Sequence, residues 1–115
     1  PLRTARCSPY GKKIVSASGD NSIGLWDAVA GECLKAIEGH EDVVWEASFS
    51  ADGKKIVSTS LDKTVRIWDV ETGECVQRLE GQHPPYRFIK RAIISPDGKM
   101  ILLIMSDNTI RISDL

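Results

Sequence analysis

Residues 54–69 read KKIVSTSLDKTVRIWD, and residues 12–27 read KKIVSASGDNSIGLWD. The two stretches keep register over a long span: Gly11 to Gly53, Trp26 to Trp68, Gly31 to Gly73 and Cys33 to Cys75 are each 42 residues apart. A third copy follows at 45, from Gly53 to Gly98, Asp62 to Asp107 and Asp69 to Asp114, with the three extra residues in GQHPPYRF at 81–88. A period of this length within 115 residues excludes most folds at once. Each unit has to be one small supersecondary element that stacks on copies of itself.

The unit reads as strands and turns. VVWEASFS (43–50) is rich in β-formers and ends at the turn signal ADG. KKIVSTS (54–60) and TVRIWD (64–69) flank the tight turn LDK, and ECVQRLEG (74–81) follows the loop VETG. Four short antiparallel strands form a meander with no helix to cover it. Ile56 and Val57 are adjacent, as are Ile101, Leu102, Leu103 and Ile104, so the second strand is apolar on both faces. A strand of that kind is buried on both faces, and the unit therefore needs a neighbour on each side. The expected fold is all-β, with units at 1–39, 40–81 and 82–115, the last lacking its outer strand.

GHEDVVWEASFSADGKKIVSTSLDKTVRIWD resembles the WD-repeat family, whose units begin with Gly-His and end with Trp-Asp. The resemblance covers essentially the whole chain. It implies β-propeller blades, about two and a half of them. Trp26-Asp27 and Trp68-Asp69 carry the full dipeptide, whereas Ser113-Asp114 is degenerate. The family's buried hydrogen-bonded set of His, Ser/Thr, Asp and Trp maps to His40, Ser58, Asp62 and Trp68. With a three-residue turn at 61–63, Ser58 opposes Arg66 and lies diagonal to Trp68, within reach of its indole N–H. A one-residue slip would bring in Ser60 instead. The first unit offers Ser16, Asp20 and Trp26 but no His. The third has Leu103 and Ser113 in place of the Ser and Trp, and Gln82-His83 in place of Gly-His, so aliphatic packing through MILLIM (100–105) has to hold it.

Catalytic readings fail on residue chemistry. Ser, His and Asp occur in one unit, but the hydroxyl is expected to be committed to a Trp, and no oxyanion hole is evident. HEDVV lacks the second His of a metalloprotease helix, and no phosphate-binding or calcium loop is present. No enzyme activity, cofactor or metal is expected. Fifteen basic and sixteen acidic residues give a net charge of −1, which does not suit a nucleic-acid or anionic-membrane binder. The paired lysines (Lys12 with Lys13, Lys54 with Lys55) each flank a turn and read as solvated hairpin ends. MILLIM, the longest apolar run, is far short of the ~20 residues of a spanning helix. Cys7, Cys33 and Cys75 fit neither a disulfide framework nor a zinc site and read as small buried side chains in a reducing, cytoplasmic setting.

The resemblance also implies where partners dock: the face where connecting loops enter the innermost strands. The positions are Val43, Trp45 and Leu61 in the second unit, Arg3 and Gly19 in the first, and Phe88, Lys90 and Ser106 in the third. Trp45 breaks the repeat, since Arg3 and Lys90 hold its place, and it reads as an interface anchor ringed by Val43, Leu61 and Phe88. The expected function is a non-catalytic protein- or peptide-binding scaffold. The alternatives are a recognition propeller attached to an enzymatic or signalling domain, and a self-assembling piece. The last unit stops after its third strand, which resembles a genuine C-terminus, whereas the start at Pro1 resembles a cut. An isolated chain of this kind is expected to self-associate through its open blade faces.

Overall fold

A computed structural model describes residues 2–80 and 89–115. Eleven strands and no helix are present among the described residues, in three antiparallel sheets. The first sheet runs β1 (Leu2–Cys7), β2 (Lys13–Ser18), β3 (Ile23–Asp27) and β4 (Cys33–Ile37). The second runs β5 (Val44–Phe49), β6 (Lys55–Ser60), β7 (Thr64–Asp69) and β8 (Cys75–Glu80). The third holds β9 (Ile89–Ile94), β10 (Met100–Met105) and β11 (Ile110–Asp114). Every sheet is a simple meander in chain order. Strands joined by three- to five-residue turns pair with their immediate neighbours because loop closure is cheapest there.

The second sheet is the filling of a sandwich. Its Ile56 and Trp68 pack with Val15, Ala17, Ile23 and Leu25 of the first sheet. Its Val57, Val65 and Ile67 pack on the opposite side with Ile89, Ala92, Ile101 and Leu103 of the third. Adjacent residues of β6 thus enter different cores, as expected of a strand apolar on both faces. Strand β5 runs beside β1 and β2, and β6 and β5 run beside β9, so the first strand of each sheet is the innermost. In the third sheet Ile101, Leu103 and Met105 are buried toward the second, and Ser113 stands opposite Ile101 where an indole would otherwise be. Aliphatic packing replaces the polar set in this unit.

The turns explain three unusual backbones. Asn21, Lys63 and Asn108, each directly after the turn Asp, have φ of 74°, 69° and 67°. The Asp closes the turn by accepting the N–H two residues on, from Ser22, Thr64 and Thr109 respectively. Asp27 and Asp69 of the Trp-Asp dipeptides do the same work on the next loop. Asp27 Oδ1 accepts from the Val29 and Ala30 N–H groups, and Asp69 Oδ1 from those of Glu71 and Thr72.

One expectation is corrected. Cys7, Cys33 and Cys75 are exposed, not buried. Cys33 and Cys75 begin the outermost strands, which pair on one side only. Register shifts there leave Leu34 and Val76 as extra residues, and the bulge turns the start of the strand away from the interface between sheets.

Candidate interaction site

Two constellations stand out, one sealed and one open. In the sealed one, β6 pairs with β7 so that Ser58 faces Arg66 and Ile56 faces Trp68. That is the register of a three-residue turn, and it makes Ser58, not Ser60, the partner of the indole. Trp68 Nε1 donates to Ser58 Oγ at 2.8 Å, and the Ser58 hydroxyl donates to His40 Nε2 at 2.6 Å. His40 Nδ1 then donates to Asp62 Oδ2 at 2.9 Å. A carboxylate only accepts, so it fixes the proton on Nδ1 and leaves Nε2 as the acceptor. Ser60 instead donates to the backbone oxygen of Val43, at 2.9 Å.

Electrostatics hold this set in one protonation state. Burial lowers the proton affinity of His40, and Asp62 opposes this only in part, so the ring stays neutral. Burial pushes the Asp62 carboxyl up, but the Thr64 hydroxyl, the Glu41 N–H and His40 all donate to it and outweigh burial. Its pKa is held at about 2. Gly39 is a close-fitting part of the set. A Cβ there would lie 2.7 Å from the Trp68 ring, and its φ of +153° is one that side chains oppose. In the first sheet Trp26 Nε1 donates to Ser16 Oγ at 3.0 Å. Gly24 occupies the position that Arg66 holds in the second unit, and a Cβ on Gly24 would strike both partners. Asp20 binds the Ser22 hydroxyl and N–H in its own turn.

The connectivity Asp62–His40–Ser58 is that of a hydrolytic triad. Its hydroxyl, however, is fully buried beneath Trp68 and already occupied by two partners. No group of three or more His, Cys, Asp or Glu side chains suited to a metal ion occurs among the described residues.

The open constellation lies on the innermost strands. Register shifts in β1, β5 and β9 leave one extra residue in each: Arg3, Trp45 and Lys90. A bulge removes a residue from the ladder and re-aims its side chain. Trp45, the second residue of β5, is 37% exposed. A cleft of about 280 Å³ flanks it on one side, lined with Thr4, Arg6 and Glu46. Another of about 310 Å³ lies on the other side, with Lys90, Arg91 and Ile104. Glu46 Oε1 receives Arg6 Nη2 at 2.6 Å and Arg91 Nε at 3.1 Å, which ties all three sheets together.

The sequence-derived contact residues are distributed around this ridge. Leu61 is exposed and Val43 half-buried, joined by the Leu61 N–H to the Val43 carbonyl. Gly19 and Ser106 hold the corresponding places before their turn Asp residues and are half-buried. Phe88 and Gln82-His83 lie outside the described residues, as does the side chain of Arg3. The charged neighbours of Trp45, namely Arg6, Glu46 and Arg91, escaped the sequence reading. They come from three sheets, and no common spacing marks them: Glu46 and Arg91 directly follow the bulge residues Trp45 and Lys90, whereas Arg6 lies three residues past Arg3.

The profile of the WD domain, G-beta repeat, matches residues 2–27 and 31–69. F-box/WD repeat-containing protein 7 of Drosophila melanogaster is 46% identical over 37 residues, which is 32% of this chain and 3% of that protein. Nuclear distribution protein PAC1 of Mycosarcoma maydis is 39% identical over 48 residues, 42% of this chain and 11% of the relative. The protein of the same name from Fusarium vanettenii is 45% identical over 42 residues, covering 36% and 9%. The chain thus spans about a tenth or less of the length of these relatives. The matched profile covers more than half of the residues, and the stretch 31–69 that it matches contains His40, Ser58, Asp62 and Trp68 of the sealed hydrogen-bonded set. The chain belongs to the WD-repeat family.

Proposed function

We propose that the chain is a non-catalytic scaffold that docks protein or peptide partners on the face where the loops enter the innermost strands, with Trp45 as the anchor. WD repeats serve in general as protein-interaction scaffolds, and one observation carries the finer reading. A bulge lifts Trp45 out of the pairing ladder, leaving its indole partly exposed between two clefts. Large aromatic side chains held on a rigid strand lose little entropy on binding and dominate interfaces. The balanced charge argues against nucleic acid as the partner, and the exposed thiols suit a reducing compartment such as the cytoplasm.

Trp45→Ala tests the reading. It should weaken partner binding by about 1–2 kcal/mol or more while leaving the unfolding midpoint in place. A loss of stability with unchanged binding per folded molecule would make Trp45 a packing residue and remove it from the interface. A second reading, self-association, rests on a different observation. Ile110 and Ile112 of β11 are 60% and 62% exposed on the outer strand of the third sheet.

A further inference from the structure

The surroundings of Trp45 carry a sign. Glu46 is shared by two guanidiniums through a single oxygen, Oε1, so that cluster keeps one positive charge in excess. Lys90, exposed at the equivalent bulge of the third sheet, adds another. Two positive charges thus gather at the innermost strands of a chain whose total is −1. Of the acids outside that cluster, Asp62 is closed against His40, while Glu41 and Asp42 lie on the loop that enters β5, where Asp42 accepts from the N–H of Val43. The arrangement is also directional. On one side the indole borders a cleft that ends on Arg6, and on the other a cleft that ends on Lys90 and Arg91.

We infer that Trp45 and the cations on its two sides bind an extended acidic segment of a partner protein. An apolar side chain of that segment rests on the indole, and carboxylates on either side of it reach Arg6 in one cleft and Lys90 with Arg91 in the other. The inference rests on the docking reading above and adds the chemistry of the ligand. Guanidinium N–H groups beyond those given to Glu46 suit the two oxygens of a carboxylate, and the half-exposed setting strengthens each pair relative to open water. A nucleic acid fits less well. Its backbone presents an unbroken run of phosphates, and Glu46 lies in the middle of the track.

The test is fluorescence anisotropy on the folded protein with four labelled probes. These are a short peptide with Asp and Glu on both sides of a central Leu, its Asn/Gln twin, its Lys twin, and an oligouridine RNA of similar length. The acidic peptide should bind about tenfold tighter than its amide twin, lose affinity as salt rises, and outcompete the other two. Lys90→Glu should weaken it about tenfold at an unchanged unfolding midpoint, because Lys90 lies outside the Glu46 cluster. Trp45→Ala should weaken both the acidic and the amide peptide. Equal binding of those two, with Trp45→Ala still weakening both, would overturn the acidic class and leave the docking site standing. No effect of Trp45→Ala on any probe, or no binding by any peptide, would overturn both. Tighter binding of the RNA would overturn the inference in favour of nucleic acid.

Discussion

Trp68 joins two stabilising effects that usually occur apart. Its ring fills the core between the first and second sheets, stands edge-on to His40 with centroids 5.9 Å apart, and packs against Gly39 closely enough to exclude a methyl group. Its N–H anchors the buried chain of donors. Trp68→Ala should therefore cost about 3–5 kcal/mol from the cavity, and the loss of the N–H that Ser58 Oγ accepts adds to that. Trp26→Ala should cost less, since Trp26 is only half-buried and, among the described residues, its serine has no histidine behind it. Equal unfolding midpoints for Trp68→Ala and the native chain would refute the structural role. A smaller effect runs in the opposite direction at Lys63. Its φ of 69° is a left-handed conformation that Asn tolerates better than Lys, and Asn holds the matching place at 21 and 108. Lys63→Asn should raise stability by about 0.5–1 kcal/mol in chemical denaturation.

At the scale of the element, the second sheet carries a pH response. His40 is held neutral, below its ordinary value of 6.5, so its contribution is complete above that pH and is lost as acid protonates the unfolded chain first. Asp62 is held at about 2 against an ordinary 3.8. Its contribution is complete above the ordinary value and fades between the two. Both act in the same direction. The melting temperature should fall on acidification in two stages, the first below about pH 6.5 and the second below about pH 4. Asp62→Asn should weaken the lower stage without abolishing it, because hydrogen bonds in their turns also hold Asp20, Asp27, Asp52, Asp69 and Asp97 below the ordinary value. A midpoint level from about pH 7 to pH 5 would remove His40 from this account. The same sheet shows what a sequence can and cannot disclose. The pairing of Ser58 with Arg66 was legible from a three-residue turn and the period-2 side-chain alternation, but only the folded register excluded the one-residue slip to Ser60. The assignment of Ile56 and Val57 to opposite cores followed from their adjacency. The exposure of Cys33 and Cys75 was not legible, because a bulge at Leu34 and Val76 depends on the twist of the finished sheet. The Arg6–Glu46–Arg91 cluster was hidden for a different reason: it joins residues far apart in the chain by geometry that exists only once three sheets have stacked.

At the scale of the whole molecule, stability is a sum over interfaces between sheets, as in other repeat proteins. Two such interfaces are closed here, one on each side of the second sheet. The third sheet presents Ile93, Met100, Ile110 and Ile112 to solvent. In β10, Leu102 and Ile104 are only half-buried, although Val57 and Thr59, which match them by the repeat, are covered. An apolar face of this kind associates when nothing of its own chain covers it. The 115 residues expressed alone should sediment as dimers or larger species. A compact monomer with sharp cooperative unfolding would show that the face is tolerated in water.

The recurring bulge of the innermost strand has a consequence for how such a surface changes over time. A residue in the ladder answers to its cross-strand partner and to the neighbouring sheet, so altering it means renegotiating the core. The supernumerary residue has no cross-strand partner in the ladder. Positions 3, 45 and 90 are therefore rewritable letters in an otherwise fixed text, currently spelling Arg, Trp and Lys. Mutation can revise the message one letter at a time while the script that displays it stays intact, and a library confined to these three positions would sample new binding preferences at nearly constant stability.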